Sequence, residues 1–323
     1  MAENLNNKNN KRYQASAYGG ENWSPRDRSH RDDIGSLWSA CGVGSEWRPL
    51  KSVILHSPGE EMNQIMDPES VQMLAIPDLH LAQEQHKGIS RAYQNAGVTV
   101  HNVNPNIKNP PPNLIFCADL FFMTPEGAIL ARPASTVRAG EERWIARRLA
   151  DLGIPILTTI TGNGIFEGAD AAWINHQTVL LANGLRTNHE GADQVLQTLK
   201  RVGVNVIRIE LPYGSMHLMG ILRFLDKDLA IAWPHRITFS AVTFLQEQGY
   251  KMLFIPDEIE ATGGGALNFV TLGPREVLIA SGNPITQKFL EQYGVICHIV
   301  TISELLKAAG GIGCLTGVLE RDQ

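Results

Sequence analysis

Four segments of this chain open a similar run of elements, and the openings fall about 50 residues apart, near positions 114, 165, 217 and 266. LIFCAD (114–119) opens a strand pair that turns at PEG (125–127) and returns through AILA (128–131). A helical pattern over about 140–151 and the short strand 155–158 complete the unit. IFEGAD (165–170), MHLM (216–219) and ALNFV (266–270) begin the next three, each followed by a return strand, a helix and a final strand. The next opening is due near 314–316, where GGIGCLTG (310–317) stands and only half a hairpin remains. The missing partner strand is available at the other end of the chain, in SVILH (52–56), followed by a helical stretch over 80–95 and the strand 98–101. Fixed periods of this size mark arrays and propellers. The expectation is one closed α/β domain with pseudo-five-fold symmetry, its first and last segments sharing a unit.

Residues 1–45 are polar and weakly periodic, and read as a flexible or loosely docked extension ahead of one domain over 46–323. A 43% apolar share is ample for one core. The net charge of −5 and the lack of a long basic run argue against nucleic-acid binding. No apolar run reaches the roughly 18 residues of a membrane span. The start MAENLNNKNNKRY has no apolar secretory core. Cys41, Cys117, Cys297 and Cys314 are scattered, with no CxxC spacing for zinc or redox work, so a reduced, cytoplasmic setting fits.

A ring of such units brings their openings toward one axis. The residues carried there are Asn113 and Asp119, Glu167 and Asp170, His217, Asn268 and Cys314. A cysteine needs a base or a positive neighbour to become thiolate, and His217 can serve. Carboxylates beside it would repel an anion and hold a cation. A guanidinium meets both conditions, since its N–H fork pairs with carboxylates and its carbon is open to a thiolate.

PNLIFCAD (112–119), FEGAD (166–170), RTN (186–188), MHL (216–218), ALNFVTLGP (266–274) and GGIGCLTG occur in that order. Over about 46–321 the chain resembles the guanidine-modifying (pentein) superfamily: arginine deiminases, dimethylarginine dimethylaminohydrolases and amidinotransferases. The resemblance implies a five-bladed α/β propeller. It implies Cys314 as nucleophile and His217 as the acid that protonates the departing amine and then the base that activates water. Glu167 and Asp119 match carboxylates that grip guanidinium nitrogens and orient the histidine. Arg138 and Arg186 stand where arginines hold the substrate carboxylate, while Asn113, Asp170 and Asn268 complete the candidate binding set. No metal or organic cofactor is implied. The expected partner is a small guanidino substrate, and self-association into a homo-oligomer is left open.

The departures are specific. Deiminases carry an aspartate two residues after the histidine, where this chain has Met219. Their Phe-x-Arg-Asp has Ala118 in place of arginine here, and dimethylarginine hydrolases tend to have aspartate at the position of Asn113. The sequence therefore points to a cysteine hydrolase of arginine or an N-substituted arginine. Amidino transfer to an amine, an arginine dihydrolase and a non-enzymatic binding protein on the same fold are the competing readings.

Overall fold

The computed structural model describes residues 13–322. Fifteen strands are found there: β1 (Leu50–Leu55), β2 (Thr99–Asn102), β3 (Phe121–Thr124), β4 (Gly127–Leu130), β5 (Ile156–Thr159), β6 (Ala171–Asn175), β7 (Thr178–Asn183), β8 (Asn205–Glu210), β9 (Leu222–Asp226), β10 (Leu229–Ala232), β11 (Lys251–Phe254), β12 (Val270–Gly273), β13 (Glu276–Ala280), β14 (Ile296–Val300) and β15 (Gly317–Arg321). They form five three-stranded sheets: β15-β1-β2, β3-β4-β5, β6-β7-β8, β9-β10-β11 and β12-β13-β14. In every sheet the first two strands are antiparallel and the third runs parallel to the middle one. A parallel neighbour requires a crossover, which a helix provides in each case. The helices are Leu79–Asn95, Glu142–Asp151, His189–Arg201, Phe239–Glu247 and Pro284–Gln292. This mixed α/β architecture of five small sheets is consistent with five blades. The first and last strands pair directly, with Val53 opposite Val318 and Ile54 opposite Gly317.

Local chemistry explains the repetition. The middle strands are buried almost throughout, β4 and β10 along their whole length, as strands covered on both faces must be. Helix 79–95 buries Ala82, His86, Ile89 and Tyr93, one stripe at helical spacing. Asp78, Asn188 and Thr238 cap three of the helices, each accepting from a backbone N–H three residues on. All five helices end alike. Gly97, Gly153, Gly203, Gly249 and Gly294 follow the caps with φ between 71° and 89°. The next N–H then bonds back to a helix carbonyl, as from Val98 to Tyr93 and from Val204 to Leu199.

One expectation needs correction. The unit openings were expected to be strands. Four of them are short helical turns instead, at Cys117–Leu120, Gly168–Asp170, Leu218–Gly220 and Ile312–Leu315, and the strands begin after them. A strand sends successive side chains to opposite faces, whereas a turn can aim several at one point. Of the 1–45 extension, the first twelve residues lie outside the described ones. Its end is packed against the body: Cys41 and Val43 are buried, and Gly42 exchanges backbone hydrogen bonds with Leu319 and Arg321.

Candidate active site

The turns meet in a cleft lined by Gln72, Asn113, Phe116, Asp119, Arg138, Arg186, Met216, Ala308–Gly310 and Cys314. Cys314 sits in the turn Ile312–Leu315. The glycines before it permit close approach. A Cβ on Gly310 would lie 2.3 Å from the Phe116 ring, and one on Gly311 would lie 2.8 Å from Asn268 Cβ. Asn268 in turn grips the cysteine twice: its Nδ2 donates to Sγ at 3.0 Å, and its Oδ1 accepts from the Cys314 N–H at 3.0 Å. The buried thiol is pushed up to about 11, by burial first and by Asp119 second, while the Asn268 hydrogen bond acts the other way.

His217 is buried with Nε2 2.7 Å from Glu167 Oε2 and 3.9 Å from Asp119 Oδ1. Burial alone would strip its proton. Asp119, the Glu167 hydrogen bond and Asp170 outweigh that and raise it to about 9. Burial would likewise keep Glu167 protonated, but the His217 hydrogen bond and charge, with Arg138 and Arg186, hold it well below the usual carboxylate range. The pair is an imidazolium–carboxylate ion pair at neutral pH. Glu167 Oε1 also accepts from Ala134 N at 3.0 Å, which fixes the carboxylate plane.

Arg138 was expected to hold a substrate carboxylate, but the structure commits it to the protein's own. Its Nη1 donates to Asp119 Oδ2 at 2.7 Å and its Nε to Glu141 Oε2 at 2.9 Å, with Glu167 at 3.6 Å. Burial works against its charge, yet the three carboxylates keep it firmly protonated. Glu141 is the residue sequence reasoning missed; burial raises it to about 7 against the pull of Arg138. Its one sequence signal is the three-residue spacing from Arg138, which is common among surface ion pairs. Arg186 is half-buried, 3.4 Å from Glu167, and lines both the cleft and an outer cavity of about 390 Å³ that opens beside it.

Asn113 lines the cleft and donates to Val71 O at 2.8 Å. Glu167, Asp170, His217 and Asn268 are not among the lining residues and lie behind them. Asp170 accepts from Thr187 Oγ1 at 2.6 Å and Leu218 N at 3.1 Å, so it ties the 186–188 loop to the His217 turn rather than facing a ligand. Asp119, Glu167 and His217 offer ligand atoms within 4.8 Å of one another, a spacing a metal ion could use. The Arg138 guanidinium and the imidazolium already supply the positive charge there, so the donor set does not fit an ion.

Two acceptors in this network are left over, Glu141 Oε1 and Asp119 Oδ1, and of their two residues only Asp119 lines the cleft. Asp119 Oδ1 is buried without a hydrogen-bond partner. A buried carboxylate oxygen normally has one; here Asp119 lines the cleft with Cys314, and its Oδ1 lies 3.9 Å from His217 Nε2.

Over residues 63–319 the chain matches the family model for eukaryotic N,N-dimethylarginine dimethylhydrolase. The N(G),N(G)-dimethylarginine dimethylaminohydrolase of Pseudomonas aeruginosa is 26% identical over 272 residues, covering 83% of this chain and 98% of that protein. The solved structure of that organism's enzyme, a mutant complexed with citrulline, superposes with a TM-score of 0.68 at 23% identity, covering 85% of this chain and all of the other. The saxitoxin-pathway amidinotransferase SxtG of Microseira wollei superposes with a TM-score of 0.69 at 15% identity, covering 88% of this chain and 98% of its own. At such identities the two superpositions speak for the fold. No helix among the described residues is long and apolar enough to cross a membrane.

Proposed function

The chain belongs to the N,N-dimethylarginine dimethylhydrolase family of the guanidine-modifying (pentein) superfamily, and from that premise we propose that it is a cysteine hydrolase of arginine or an N-substituted arginine. We read the five sheets as blades of one closed α/β propeller over 46–323, whose central mouth is the cleft. The observation that carries the reading is the unpartnered Asp119 Oδ1 in the same cleft as a clamped cysteine and next to a charged histidine.

The course follows from the charges. In the empty site burial and Asp119 keep Cys314 a thiol. A guanidinium seated on Asp119 cancels that repulsion, and the cysteine gives up its proton to solvent as the cation binds. The thiolate adds to the guanidinium carbon. His217, charged and oriented by Glu167, donates its proton to the departing amine as the C–N bond breaks, leaving an S-linked thiouronium. The neutral His217 then takes a proton from water, the hydroxide adds to the same carbon, and the C–S bond breaks to release the ureido product. Arg186, at the junction of the cleft and the outer cavity, suits the substrate's carboxylate. Met219 stands where a deiminase carries an aspartate, so one guanidino nitrogen lacks a carboxylate partner, which favours an N-substituted substrate.

Mass spectrometry of products from arginine and N-methylated arginines, with and without glycine as acceptor, tests this. The expected products are citrulline and the matching amine, formed without an acceptor and lost in Cys314→Ser. Product formed only when an acceptor amine is present, or ornithine as the end product, overturns the hydrolase reading.

A further inference from the structure

A second cavity lies apart from the substrate cleft. It has a volume of about 70 Å³, is lined by the inner strands of all five sheets, β3, β6, β9, β12 and β15, and shares no lining residue with the substrate cleft. Two arginines reach it from different sheets. Arg321 is 2% exposed; its Nη1 donates to Arg48 O at 2.6 Å, and its Nε has no hydrogen-bond partner. Arg223 donates to Phe269 O and lies over the Phe269 ring at 5.4 Å. Both are thus bonded to carbonyls rather than carboxylates. Glu46 is the carboxylate lining the same cavity, and its Oε1 is taken up by Trp173 N at 3.0 Å. Burial lowers Arg321 to about 10, against the opposing pull of Glu46.

The space therefore holds two cations against one carboxylate, and a buried charge without a partner is costly. We propose that this axial cavity is a binding site for one small monovalent anion, such as chloride, nitrate or formate, seated between Arg321 Nε and the Arg223 guanidinium. A cavity of this size suits an ion of one to four atoms, so the bulkier gluconate serves as the comparison anion. The site does not depend on the chemistry of the cleft.

Thermal unfolding at constant ionic strength, with sodium chloride or nitrate replacing gluconate, tests the proposal. Binding to the folded state alone raises Tm saturably, by roughly 4 °C at 100 times the half-saturating concentration. Arg321→Gln abolishes the rise. Glu46→Gln keeps an acceptor for Trp173 but removes the opposing charge, and lowers the half-saturating concentration several-fold. That second variant decides the matter if Arg321→Gln does not fold. Equal Tm in all three salts, or a Glu46→Gln midpoint no tighter than that of the unmodified protein, overturns the proposal. So does loss of the response in Arg186→Gln, which would put the anion in the cleft instead.

Discussion

Asn268 holds Cys314 by both its backbone and its sulfur, and the two contacts have different consequences. The bond to the N–H positions the residue; the bond to Sγ stabilises a thiolate more than a thiol. Hydrogen bonds to charged groups contribute about 1.5–3 kcal/mol, or about 1–2 pH units on a titrating partner. Asn268→Ala is therefore expected to move the pH midpoint of Cys314 alkylation by iodoacetamide upward by about that much; an unmoved midpoint would reduce Asn268 to a spacer. Arg138 teaches a related lesson. Its presence near the site was legible from the family pattern, but its partners were not. Whether an arginine faces a ligand or its own protein depends on which carboxylates the fold brings to it, and Glu141 arrives from the adjoining turn. Asp170 is the same case with the sign reversed: a carboxylate expected to bind substrate is consumed by Thr187 and the Leu218 N–H.

Among the elements, the helices and the outer two strands of each unit were legible to within about two residues, because hydrophobic periodicity and turn residues are local signals. Glycines 97, 153, 203, 249 and 294 recur once per unit and mark the helix ends independently. The inner edges were misread because apolar letters there serve packing on every side, without the alternation that separates a strand from a turn. The unit that pairs the first and last strands carries a further property. His56, just after β1, and His86, on helix 79–95, are both buried with Nε2 unpartnered. Burial lowers each to about 4, and His56 adds its own charge to the effect on His86. Folded-state values below the ordinary 6.5 mean that the unfolded chain binds the extra protons. Their contribution is then fully present above about pH 6.5 and lost as pH falls toward 4. Tm should fall over that window, and less steeply in His86→Leu; an equally steep fall in the variant would assign the acid limb to other groups.

At the scale of the whole molecule, closure rests on a strand from each end of the chain. β15 supplies Val318 and the buried Leu319 and pairs β1 along its length. It also follows the turn of Cys314, so the cleft's cysteine hangs on the strand that joins last to first. Deleting 317–321 should remove the cooperative thermal transition and the near-ultraviolet circular dichroism of packed aromatics, since a middle strand with one neighbour missing leaves apolar surface and backbone groups exposed. A truncated chain that still melts cooperatively would show that closure is dispensable.

The sequence by itself determined the period, the pairing of the ends and the identities of Cys314, His217, Glu167 and Asp119 at the openings. These follow from local patterning and motif order, which a chain carries wherever it folds. Only the tertiary structure decided which charges meet: Arg138 turned toward Glu141 and Asp119, Asp170 spent on a loop, Asp119 Oδ1 left open, and two arginines facing one cavity. Electrostatic partnership depends on distance and burial, and those exist only once segments far apart in the chain are packed together.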